Sequence, residues 1–124
     1  MIQYKTLTPY KNRGIEDWGG VISKDFKSFA RKWRNFLTRI CDEHDWELVN
    51  FNTGHYYCSW FFKNGHKFIY CSFSDVRHFS KSWFESILYR TAKHFKDYTG
   101  GTNCYTSLEN LEANIAKLFE RGQW

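Results

Sequence analysis

The stretch from Tyr56 to Phe73 constrains this chain more than any other. Two aromatic-rich apolar runs, Tyr56–Phe62 and Lys67–Phe73, are joined by Lys63-Asn64-Gly65-His66. Asn and Gly both tolerate positive φ, so the pair predicts a two-residue type I′ turn and a β-hairpin. Register then follows. With Lys63 opposite His66, Trp60 faces Ile69, Cys58 faces Cys71 and Tyr56 faces Phe73. Cys58 and Cys71 fall at a non-hydrogen-bonded pair, where Cα atoms approach to about 4.5 Å. Two thiols held that close are a disulfide, two ligands of a metal, or a packed pair of small hydrophobes.

The 124 residues suit a single α+β domain over 1–124, with 1–20 as an irregular N-terminal arm. That arm mixes Tyr4, Tyr10 and Trp18 with Gly14, Gly19, Gly20 and the only proline, Pro9. Aromatics make up 21% of the chain, enough bulk for a core and more than a core this small can hold. Some rings must therefore reach the surface, where Tyr and Trp favour interfaces. No apolar stretch approaches the ~18 residues of a membrane span. The opening Met1-Ile2-Gln3-Tyr4-Lys5 lacks the apolar core of a signal peptide, so a cytoplasmic protein is expected. In that compartment close Cys and His groups point to metal more often than to disulfides. The formal charge of +5 suits an anionic partner, or simply keeps the chain soluble.

Ser23 is placed to cap a helix of about 20 residues ending at Glu43 or His44. Phe26, Phe29, Ala30, Trp33, Leu37, Ile40, Cys41 and His44 recur at helical spacing and share one face. Lys24, Lys27, Arg31 and Arg34 form a second stripe, flanked by Lys32 and Arg39. Asp42, Glu43, Asp45 and Glu47 crowd the end of the helix that its dipole makes unfavourable for acids. Three strands are expected next, Trp46–Phe51, His55–Phe62 and His66–Ser74, the first turn lying at Thr53-Gly54. In the hairpin the face bearing Tyr56, Cys58, Trp60, Phe62, Ile69, Cys71 and Phe73 is assigned to the core. Residues 79–96 read either as a helix or as a short helical turn followed by a strand over Ile87–Thr91; the second is adopted. Asp97–Tyr105 reads as a loop. Thr106-Ser107-Leu108-Glu109 reads as a capping box opening a final helix with Leu108, Leu111, Ile115, Leu118 and Phe119 on one face. The expected architecture is an antiparallel sheet of three to four strands, with a long N-terminal helix and a C-terminal helix on one face.

Three kinds of site are visible. Cys41 and His44 stand on the apolar face of the first helix, near its end. If that face packs on the hairpin, Cys41, His44, Cys58 and Cys71 converge as a Cys₃His set for one structural zinc. The competing reading buries the cysteines as ordinary apolar residues. A second kind would use Asp75, His78 and His94, with Arg77, Arg90 and Asp97 nearby, for acid–base chemistry on a phosphodiester. No phosphate loop or nucleophile elbow accompanies them, so a solvated strand end reads better. The third kind is a contact surface. Lys24, Lys27, Arg31, Lys32 and Arg34 can meet phosphates or an acidic protein. Tyr57, Phe61 and Tyr70, with Phe68, can stack bases or anchor an interface.

The words Ser28-Phe29-Ala30-Arg31-Lys32-Trp33-Arg34-Asn35-Phe36-Leu37, Asp45-Trp46-Glu47-Leu48-Val49-Asn50-Phe51 and Asp97-Tyr98-Thr99-Gly100-Gly101 resemble those of short accessory proteins of Gram-positive phages and integrative elements. Some of these are anti-CRISPR inhibitors of type II effector nucleases. The resemblance implies a cytoplasmic, non-enzymatic protein that binds a CRISPR effector nuclease and blocks its guide or target-DNA handling. Many such inhibitors mimic DNA with acidic surfaces. A chain of charge +5 departs from that pattern and suits an acidic patch on the effector instead. The alternative is a basic, aromatic-rich nucleic-acid-binding module.

Overall fold

The computed structural model describes residues 7, 24–54, 56–74, 76, 85–122 and 124. The arm over 1–20 (except Leu7), the cap at Ser23, and Asp75, Arg77 and His78 lie outside the described residues. The elements in chain order are α1 (Lys24–His44), β1 (Glu47–Thr53), β2 (Cys58–Asn64), β3 (Lys67–Phe73), β4 (Ile87–Ala92), β5 (Cys104–Thr106) and α2 (Leu111–Phe119). The strands form one antiparallel meander in the order β1-β2-β3-β4-β5. The α+β class and both helices are as expected. The sheet has five strands, because Cys104–Thr106, read as the end of a loop and a helix cap, pairs with β4.

α1 is a 21-residue helix. Phe26, Phe29, Trp33, Phe36, Leu37, Ile40 and Cys41 are all buried along its length. The 3.6-residue repeat puts these side chains on one face, and removing them from water is the main force that docks the helix. Trp33 sits at the centre, its ring 5.4 Å from Trp60 and 5.3 Å from Phe73. The helix stops at Asp45, whose φ of 58° turns the chain left-handed. The Trp46 N–H then donates to the Cys41 carbonyl at 2.9 Å. That bond is the longer one of a Schellman closure and satisfies a carbonyl the helix leaves open.

The inner face of the sheet carries the predicted core residues of the hairpin, and all seven are buried. Their register differs from the expected one. Gly65 alone takes positive φ, 62°, and Asn64 closes the ladder opposite Lys67. The turn is thus Gly65-His66, with Gly at the first central position as a type II′ turn requires. Pairing slides by two residues, so every side chain keeps its face while its partner changes. Cys58 lies opposite Phe73, and Cys71 lies opposite Trp60. The face-to-face cysteine pair is corrected to a diagonal one, at which Cα atoms are about 7–8 Å apart.

β2 begins at Cys58 rather than His55, because Tyr56 adopts a φ of 65°. The turn sends the Tyr56 ring into the core, 5.0 Å from Phe26. β1 has a bulge, with register shifting between Val49 and Asn52, and Asn50 holds the left-handed conformation there (φ 51°). α2 starts later than the capping box predicts. Asn110, not Thr106, stands at the N-cap, with no side-chain cap bond, and Ser107 Oγ accepts the Asn110 N–H at 3.2 Å across the turn that precedes the helix. Thr106 is instead the last residue of β5 and accepts a 2.7 Å hydrogen bond from the Asn114 amide. Lys67 closes the other end of α2, its Nζ 2.8 Å from the carbonyls of both Phe119 and Arg121.

Candidate interaction surfaces

α1 and α2 cover the inner face of the sheet. Among the described residues, the exposed side of α1 carries Lys24, Lys27, Arg31, Arg34 and Arg39. Residues three and four apart on a helix stand about 5–6 Å apart at Cβ, so the first four form a continuous row. None of Lys24, Lys27 or Arg31 pairs with an acidic side chain among the described residues. Arg34 lies at the sheet edge with its guanidinium 5.6 Å from the Phe51 ring centre. Lys32 is half-buried and already has a partner, so it stands apart from the row.

The predicted ring surface lies on the opposite side of the sheet. Tyr57 is 43% exposed there, while Phe61 is fully buried and Tyr70 half-buried. Phe61 therefore supports this face rather than touching a partner. It packs tilted on Tyr70 and edge-on with Tyr98, the three ring centres 5.2–5.6 Å apart. Arg90, buried, lies 4.6 Å from the Tyr70 ring centre and donates to the Asp97 carbonyl at 3.1 Å. The Asp97 carboxylate accepts the N–H groups of Lys93, Thr99 and Gly100. The Lys93 bond first, then the others, holds that carboxyl below the usual carboxylate range. The Asn50 amide donates to Tyr98 Oη at 2.7 Å and to the Phe95 carbonyl at 3.0 Å. The β4–β5 loop is thereby laid across the ring face. Arg90 and Asp97 are fully engaged in that loop, and His94 Nδ1 accepts the Lys96 N–H. These contacts tie all three into the loop, while Asp75 and His78, read with them, lie outside the described residues.

The residues read as zinc ligands divide. Cys41, Cys58 and Cys71 are buried free thiols. Burial pushes Cys41 up to about 12, with Asp42 adding to it. Burial raises Cys58 and Cys71 as well, and Cys71 is raised further by Cys41 beside it. So α1 does bring Cys41 to the hairpin. His44 turns elsewhere: its Nε2 lies 2.7 Å from Glu112 Oε2, and its ring stacks on Trp46 at 4.2 Å. Among the described residues no three His, Cys, Asp or Glu side chains form a group that would hold a metal ion. To take zinc on this set, His44 would have to leave Glu112.

Sequence reasoning missed Asn50 and Tyr98, and read Arg90 for acid–base chemistry where it holds the β4–β5 loop. The one local signal is Asn50 inside an apolar run, a residue type that tolerates the left-handed turn of a bulge. No family model, curated protein or solved structure matches the chain. No described helix is long and apolar enough to cross a membrane.

Proposed function

We propose that this is a small, non-enzymatic binding protein that docks an acidic protein surface through the basic side of α1. The resemblance to phage accessory proteins names the partner: a type II CRISPR effector nuclease in the cytoplasm of the host bacterium, whose guide or target-DNA handling the protein blocks. The observation that carries the reading is the exposed row Lys24, Lys27, Arg31 and Arg34, fixed on a helix whose other face is buried in the core. Like charges at this spacing cost a helix a few tenths of a kcal/mol per pair. An anionic partner would turn that repulsion into attraction and speed encounter.

The same row supports a second reading, in which α1 tracks phosphates and nucleic acid is the partner. The ring face adds little to either, since it lies across the sheet from α1.

The test is co-elution of the full chain with purified type II effectors after nuclease treatment. A stable complex is expected, lost or weakened at least about tenfold by the combined change of Lys27, Arg31 and Arg34 to Ala. No complex with any effector counts against the reading. Salt-sensitive binding to an oligonucleotide, lost in the same variant, would favour nucleic acid instead.

A further inference from the structure

A groove of about 360 Å³ runs between α2 and the β4–β5 edge of the inner face. It exists because β5 has only three residues, so the flank of α2 overhangs a narrow sheet edge. The approach to β5 is held close by Gly101, where a Cβ would stand 2.5 Å from the Thr91 carbonyl oxygen. Tyr89 and Cys104 line the sheet side; Asn114, Lys117, Leu118 and Arg121 line the helix side. Two neighbouring depressions share Cys104, Leu118 and Arg121 or Thr91 and Gly101, and extend the cleft toward Trp124.

The chemistry of the walls is divided. Lys117, in the last turn of α2, and Arg121, just past its end, both line this rim and bring an ammonium and a guanidinium to it. Neither side chain makes an ion pair with a described residue. Glu120 lines the same rim and offsets one of the two charges. What remains is one net cation with a planar donor fork, suited to a single carboxylate or phosphate head. Leu118 and the Tyr89 ring supply apolar wall beside it. Asn114 spends one amide N–H on Thr106 Oγ1, at 2.7 Å, and keeps its carbonyl oxygen for a ligand donor. A concave, mostly apolar site of a few hundred Å³ with a few convergent polar groups is the usual form of a small-molecule site.

We propose that this groove binds a small organic anion, its phosphate or carboxylate head on Lys117 and Arg121 and its flat apolar body against Leu118 and Tyr89. The site is separate from the basic row of α1, so either assignment can fail without the other.

The test titrates the full chain with adenosine 5′-monophosphate, adenosine and inorganic phosphate, following backbone amide shifts. The monophosphate should move the amides of Cys104 and of 114–121. Adenosine and inorganic phosphate should each bind at least about tenfold more weakly. Changing Lys117 and Arg121 together to Gln should lose at least about tenfold for the monophosphate, with the unfolding midpoint unchanged. Cys104 is the one described cysteine that is not buried, so iodoacetamide gives a second readout: the monophosphate should slow its alkylation. No shift in the groove amides, unchanged binding by the double variant, equal binding of phosphate alone, or unprotected Cys104 would each overturn the proposal.

Discussion

Asn50 joins three jobs in one side chain. It takes the left-handed φ of 51° that the β1 bulge requires, and its amide holds both Tyr98 Oη and the Phe95 carbonyl. Asn52 in turn donates to the Asn50 carbonyl and side-chain oxygens at 3.1 and 3.0 Å. An alanine at 50 loses the latch and strains the backbone. Left-handed backbone costs about 1–2 kcal/mol for an ordinary residue, and each lost hydrogen bond about 1 kcal/mol. Asn50→Ala should destabilise the protein by about 3–4 kcal/mol in urea unfolding. Asn50→Gly should recover the backbone part alone, leaving fast amide hydrogen exchange over 95–100. Equal stability of the two variants would mean that the backbone conformation carries no cost.

At the scale of elements, two glycines of positive φ separate two kinds of constraint. Gly65, at 62°, has open space around a hypothetical Cβ, whereas Gly101, at 73°, would drive one into Thr91. Gly65→Ala should cost about 1–2 kcal/mol, the conformational term only. Gly101→Ala should cost distinctly more, because the β4–β5 loop must also move. Unfolding midpoints of the two variants check the order. The same turn shows what the sequence makes legible. Asn64-Gly65 announces a hairpin, and alternation assigns the faces correctly. Which two residues form the loop is a finer matter, because a slip of two leaves the hydrophobic pattern untouched. Cys58 and Cys71 therefore read as partners when they are diagonal neighbours. The start of α2 misled for a related reason: Thr106 is a competent cap by type, but pairing of β5 with β4 claims it and a turn intervenes before the helix begins at Leu111. Long-range contacts such as His44 with Glu112, or Asn50 with Tyr98, leave no local mark in the chain at all. The groove beside α2 is of this kind, being made by where β5 ends.

Across the whole molecule, burial of three thiols couples folding to alkaline pH. Cys41, Cys58 and Cys71 hold their protons in the folded state to higher pH than they do unfolded. Above the ordinary thiol range near 8.5–9 the unfolded chain has released protons that the folded chain retains. Stability is then present in full below that range and falls as pH rises toward the folded values. Each thiol contributes a slope of up to about 1.4 kcal/mol per pH unit, so the three together give about 4. Urea midpoints should hold between pH 7 and 8 and drop steeply from 9 to 10. Cys58→Ala should lower stability through the cavity it leaves yet make the alkaline slope shallower. An unchanged slope would show that Cys58 ionises as readily folded as unfolded.

The kink at Asn50 and the brevity of β5 have a joint effect on how these molecules meet one another. β1 and β5 are the outermost strands of the sheet. A bulge interrupts the hydrogen-bonding rhythm of one, and the other offers three residues of ladder. Neither rim gives an incoming strand a straight template, which is how sheet proteins avoid edge-to-edge polymerisation. An aromatic-rich chain with a regular five-strand sheet would otherwise invite it. Among the described strands, both rims are thus poor templates for a further strand.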